Sequence, residues 1–412
     1  MSDSAGTELR RPLWRVVVAL GLTQIIAWGS LHYSIAVLAP DMAATLGVSV
    51  PLVLGCFTGA LAMSGLAAPT AGRWIDRAGG RLPMAAGSVL AAFALLLIGT
   101  APHPAVFLAG WLLAGAAMSA TLYDAAFATL SLVSGERHRQ AVTALTLFGG
   151  LASTAFWPLS FALNEAIGWR ATIVVYAALH LLVCLPLHAW LLPARPRAAV
   201  APAAPARPPA QKVPWRGGLA WLAASFALGA VVFSALSVHL IVILQAQGLT
   251  AADAVLVSVL VGPMQVAGRI VEFAGGRRLR AVTIGLVAML VMLVSLVLLW
   301  GLSGAGWLAF AFAALYGASN GVMTIVRGTV PAELHGRDGY GNLLGRLAGP
   351  AFIGKAAAPV AFALVATELG FGTGIVALMA LAAASIWTYG VAVRRAAGVS
   401  ASSAPADSRT FG

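Results

Sequence analysis

Residues 283–302 read "TIGLVAMLVMLVSLVLLWGL", an unbroken stretch without a single charge. Wound into a helix, about 20 residues span the roughly 30 Å hydrocarbon core of a bilayer. In that solvent every backbone N–H and C=O must be satisfied within the chain, which leaves helices or closed barrels. Barrel strands would be short and alternate in polarity, and this run does neither. Similar runs recur along all 412 residues, 60% of which are hydrophobic and only 9% charged. A soluble domain carries about a quarter charged residues. The sequence therefore reads as an all-α polytopic membrane protein.

Glycine, proline and charge clusters punctuate the apolar runs into twelve spans, near 14–38, 50–72, 83–101, 105–131, 141–163, 171–192, 217–244, 253–273, 281–302, 305–330, 347–366 and 373–393. The expected organisation is an N-terminal tail (1–13), a six-helix bundle (14–192), a Pro/Ala-rich basic linker (193–216), a second six-helix bundle (217–393) and a C-terminal tail (394–412). The opening "MSDSAGTELRRPLWR" leads directly into a full-length span and does not read as a cleavable signal. Cys56 and Cys184 fall within apolar runs and read as packing residues.

Of the chain's 25 Lys and Arg residues, all except Arg170, Arg269, Arg327 and Lys355 fall in the tails, the linker and the alternate loops on one side. The positive-inside rule puts that side, with both termini, in the cytoplasm. The formal charge of +12 is thus a topology signal, and no nucleic acid partner is needed to explain it.

The phrase "GRWIDRAGGR" (72–81) returns as "GRIVEFAGGR" (268–277), each time at the basic end of the second span of its half. Other pairs align at an offset of 201: "LGVS" (46–49) with "QGLT" (247–250), Gly135 with Gly336, and Pro158 with Pro359. Two homologous halves around a central site are the repeat logic of many secondary transporters. Gly72, Asp76, Arg77, Gly79 and Arg81 match the signature G-x-x-x-D-[RK]-x-G-x-[RK], and the chain resembles the major facilitator superfamily over nearly its whole length. The degenerate second copy contributes Gly268, Arg269, Glu272, Gly275 and Arg277. The resemblance implies twelve helices in two pseudo-symmetric bundles and makes these ten residues a conformational latch. On physical grounds Gly72 allows close helix approach, Gly79 and Gly80 a tight turn, and Asp76 a partner in an Arg or a helix N-terminus.

Subtracting the loop charges leaves Arg269, Arg327 and Lys355 against Asp124. Charges inside a membrane are rare and mark functional candidates. At 1.5 Å per residue Asp124, Arg327 and Lys355 come out near the midplane, roughly 14–16 Å deep. Arg269 lies about 9 Å deep, close enough to snorkel to the headgroups. By the resemblance, spans 4, 10 and 11 face the central cavity. Two cations against one carboxylate would attract an anion there; equally, Asp124 could simply pair with a cation, or carry a proton. Among the polar residues of the cavity spans (Trp28, Ser30, His32, Trp157, Ser234, Ser237, His239, Asn320 and Thr324 included), Tyr33, Gln24 and Tyr123 are the chosen candidates for substrate hydrogen bonds.

Span 1, "WGSLHYSIAVLAPDMAATLGVS", and the Lys of "FIGKAAAP" are similar to the monocarboxylate and oxalate/formate branch. Met264 stands where that branch carries a substrate-binding Arg. The resulting expectation is a secondary active transporter of a small organic anion in a bacterial cytoplasmic membrane. It would work as a monomer, with a coupled proton or an exchanged anion and with no cofactor. Efflux of a drug or amphipathic compound is the alternative, although span 5 carries Trp157 rather than Gly before Pro158. A membrane sensor that binds without transport is a further reading. No metal-spaced His/Cys/Asp/Glu cluster or G-x-x-x-x-G-K-[ST] loop occurs, so the chain does not read as an enzyme or an ATP-driven pump.

Overall fold

The computed structural model describes residues 13–193, 218–275, 278–302 and 306–402. The tail before residue 13, nearly all of the linker, Arg277 and the end of the C-terminal tail lie outside these residues. Among the described residues eleven helical stretches are long and apolar enough to cross a membrane, and one of them, Gly135–Leu191, is 57 residues long. It turns at Gly168 (φ 75, ψ 163), a conformation that a Cβ would strain, and so provides two membrane helices. The twelve helices are α1 (13–46), α2 (Val50–Ala78), α3 (Arg81–Gly99), α4 (Pro104–Ser131), α5 (138–167), α6 (169–191), α7 (Leu219–Ala246), α8 (Ala251–Gly275), α9 (Ala281–Trp300), α10 (Gly306–His335), α11 (Tyr340–Leu369) and α12 (Phe371–Ser402).

Several helices overrun the apolar spans. The charged signature of residues 72–81 belongs largely to the last turns of α2, because nothing breaks that helix before Gly79 (φ 79). Gly80 is right-handed (φ −75), so its small size serves contact rather than the turn: a Cβ there would overlap the Thr129 side chain. α12 continues past residue 393, into the expected tail.

The internal repeat is visible in the backbone. Gly47 and Gly248, and Gly135 and Gly336, all adopt positive φ, while Pro158 and Pro359 sit inside α5 and α11. The halves meet chiefly through α2 on α11, and through α5 on α8 and α10, with α4 against α11. Of the three apolar clusters, one is built from the second half alone. Another joins the halves at the end where the basic loops gather, with Phe127 and Val142 packed against Val326, Tyr340 and Leu344. We call this the basic end.

Within the first half, α6 is tied to its neighbours through buried imidazoles. His180 Nε2 is hydrogen-bonded with Ser30 Oγ of α1 (2.9 Å), and His188 with Ser88 of α3 and Thr23 of α1 (2.8 and 3.0 Å). These groups stabilise helix contacts in a medium that offers polar side chains no water. Both imidazoles fall in π-helical turns, His180–Cys184 and Leu187–Leu191.

Candidate functional site

α4 breaks at Leu122 (ψ −170), one residue before Tyr123. The break frees the Thr121 carbonyl, which accepts a hydrogen bond from Gln24 Nε2 (2.6 Å), while Gln24 Oε1 accepts one from Trp28 Nε1 (3.2 Å). Gln24 is fully buried with both ends of its amide engaged, so it braces the break rather than facing a ligand. Because the helix restarts at Tyr123, Asp124 lies in a first turn, where the helix dipole favours a carboxylate. Its Oδ1 lies 3.5 Å from Arg327 Nη2 of α10, and the pair crosses between the halves with both side chains still partly exposed (16% and 25%).

Lys355 is positioned by a proline four residues on. Pro359 has no N–H to give the Lys355 carbonyl, and Ser234 Oγ of α7 donates to that carbonyl instead (2.8 Å). His239 Nε2 is likewise hydrogen-bonded with the Pro359 carbonyl (2.9 Å). Ser234 and His239 therefore shape α11. The ammonium is half-buried, 5.5 Å from the Phe352 ring centroid and within electrostatic reach of Arg327, Asp124 and His32. Among the described residues Lys355 has no carboxylate in an ion pair, so the group at the midplane retains a net positive charge.

Opposite stands α1, whose π-helical turn Gly29–Tyr33 carries His32 and Tyr33. Such turns often re-aim side chains at functional sites. Tyr33 is half-buried, and Tyr123 stacks on Phe127 with its hydroxyl buried and unpaired.

At the basic end the two signature copies meet opposite partners. Asp76 accepts hydrogen bonds from the backbone N–H groups of Gly341 and Asn342 (2.7 Å each), capping the first turn of α11. Glu272 accepts from Arg139 Nε (2.8 Å) and Thr143 Oγ1 (2.9 Å) in the first turns of α5. By the internal repeat these are equivalent contacts, one from α2 to α11 and one from α8 to α5. Arg337 Nη1 donates to the Gly135 carbonyl and Tyr340 Oη to that of Gly328, with His138 hydrogen-bonded with the same Gly328 carbonyl (3.1 Å).

Other members of the signature do different work. Gly72 lies on Gly341 so closely that a Cβ would overlap its carbonyl, whereas Gly268 meets Ala318 of α10 within the second half. Arg81 Nε donates to the Leu192 carbonyl after α6 (3.0 Å). Arg77 is exposed, and Gly275 has open space around it. Arg269 does not snorkel: it is only 5% exposed and donates inward, to the carbonyls of Thr146 (3.1 Å) and Gly321 (3.4 Å). Neutral carbonyls of α5 and α10 hold it, within electrostatic reach of Tyr33 and Tyr123. The depth count missed this because it ignores which way a side chain turns.

Asp76→Ala is expected to speed amide exchange in peptides covering Gly341 and Asn342 by about 10- to 100-fold, since hydrogen bonds to a charged acceptor contribute about 1.5–3 kcal/mol each. Unchanged protection would mean that the carboxylate does not hold the start of α11.

Residues 20–359 match the family model described as Major Facilitator Superfamily. No curated protein matches in sequence. The fold is similar to the crystal structure of the human organic anion transporter MFSD10 (TETRAN), with a TM-score of 0.70 and 17% identity over 92% of this chain and 100% of that one. It is equally similar to the transporter FucP in the outward conformation, with a TM-score of 0.70 and 13% identity over 91% of this chain and 98% of that one. At these identities the likeness is one of fold.

Proposed function

The chain belongs to the Major Facilitator Superfamily and is a membrane transporter, and from that premise we propose that its cargo is a small organic anion, moved by alternating access between the halves. The observation that carries the reading is Lys355. Arg327 is already matched by Asp124, whereas the Lys355 ammonium lies between the halves with no carboxylate of its own. Holding a charge away from water is unfavourable unless a partner neutralises it. A carboxylate arriving from outside is such a partner, and Asp124 then competes with it for Arg327.

The contacts of Asp76 and Glu272 hold the basic end shut in the form described here. We assign that end to the cytoplasm from the placement of the basic loops. The cycle alternates between this form and one in which both acids have released α11 and α5. The span 1 pattern and the lysine of α11 favour the monocarboxylate and oxalate/formate branch, with Arg327 on α10 taking the place of the cation missing at Met264.

Purified protein screened by thermal shift is expected to be stabilised by carboxylates. At a ligand concentration of 100 times Kd the gain is about 2.7 kcal/mol. Stabilisation by cationic amphiphiles alone would overturn the anion reading in favour of drug efflux. Carboxylate binding without flux into vesicles would make the protein a sensor.

A further inference from the structure

The two walls facing the midplane differ in chemistry. The second half contributes Arg327 and Lys355. The first contributes rings from four helices: Trp28, His32 and Tyr33 of α1, Phe57 of α2, Tyr123 of α4 and Trp157 of α5. His32 is in edge contact with Trp28 (centroids 5.0 Å), Tyr33 (5.2 Å) and Phe57 (5.2 Å). Trp28 also meets Tyr123 at 5.2 Å, and Tyr33 meets Trp157 at 6.0 Å. This surface is not a sealed core. His32, Tyr33, Phe57 and Tyr123 are half-buried, and Trp157 is 47% exposed. The rings and the cations also adjoin each other: Tyr123 precedes Asp124 in the chain, and His32 is within electrostatic reach of Lys355.

A short aliphatic acid would use the cations and leave this wall without a role. An aromatic ring offers it both apolar area and edge-to-face geometry, which contributes about 0.5–1.5 kcal/mol per ring pair beyond burial. The wall also holds two polar atoms without hydrogen-bond partners, His32 Nδ1 and Tyr123 Oη. Unsatisfied polar atoms in a buried site are unfavourable. A ring bearing a hydroxyl or a similar substituent suits such a wall better than a bare hydrocarbon.

We propose that the substrate class is an aromatic carboxylate, its anionic head toward Lys355 and Arg327 and its ring against the rings of α1, α2, α4 and α5. The assignment rests on the anion reading above and adds to it the nature of the cargo's body.

The test measures binding of four probes to the purified full chain: 4-hydroxybenzoate, cyclohexanecarboxylate, propionate and benzylamine. The same measurements are made on Trp157→Ala and Tyr33→Leu. Both residues are partly exposed, so neither variant removes a sealed core contact. The expected result is roughly tenfold tighter binding of 4-hydroxybenzoate than of either aliphatic acid, the scale of one or two ring contacts. In the two variants that preference should collapse to within about threefold, while propionate binding stays as it was. Equal binding of all three acids by the unaltered protein would overturn the aromatic assignment and leave the anion reading standing. Binding of benzylamine with no binding of any acid would overturn both. A preference that survives both substitutions would overturn the placement of the ring on this wall.

Discussion

Lys355→Ala is expected to reduce organic anion uptake into proteoliposomes roughly 100-fold while the protein is still inserted and monodisperse in detergent. The size follows from the loss of a charge-assisted contact to a buried anion, about 1.5–3 kcal/mol. Preserved folding follows from the local structure. The hydrogen bond that fixes this turn of α11 runs from Ser234 to the Lys355 backbone carbonyl, which alanine keeps, and the ammonium takes part in no ion pair whose loss would strand a partner. Arg327→Ala is a weaker test, since it also leaves Asp124 without its cation. Normal flux through Lys355→Ala would remove this residue from the substrate site.

The second large effect is expected at Gly72. A Cβ at this position would overlap the Gly341 carbonyl, and the neighbouring contact points are equally bare: Gly65 against Gly349, Ala68 against Gly345, and Gly341 against Gly72. Overpacking a tight contact costs about 1–3 kcal/mol, and here it acts only on the form in which α2 and α11 touch. Gly72→Val should therefore favour the form with its basic end open. Thiol labelling of a cysteine placed at Thr143, on the side where α5 meets Glu272, should speed up by about 10- to 100-fold with a membrane-impermeant reagent, in line with that energy. Transport should fall to a similar degree. Unaltered labelling would show that the α2–α11 contact does not govern closure.

The architecture was legible in the sequence because lipid imposes one rule on every span. Uncharged runs, glycine and proline punctuation and one-sided arginines gave twelve helices in two halves. The structure agrees, with the α5–α6 boundary fixed by Gly168. The contacts of individual polar residues were less legible. Gln24, Ser234 and His239 look alike in sequence to residues that meet a ligand. They are occupied instead by backbone carbonyls, two of them freed by the break at Leu122 and by Pro359. Those partners lie on other helices, and no periodicity announces them. The acids of the repeated signature show a finer limit. Asp76 binds backbone N–H groups and Glu272 binds side chains, so the repeat located both contacts without distinguishing their chemistry.

The bareness of the α2–α11 seam bears on how easily the carrier moves. Interlocked side chains act like gear teeth and must disengage before two helices can shift past one another. Along Gly65, Ala68 and Gly72 there are no teeth, only main chain resting on main chain. Such a joint behaves as a plain bearing: its surfaces roll apart with few rotamers to rearrange, and the grip comes from the acids at its rim. Speed of turnover and firmness of closure are thereby vested in different residues, and each can be tuned without disturbing the other.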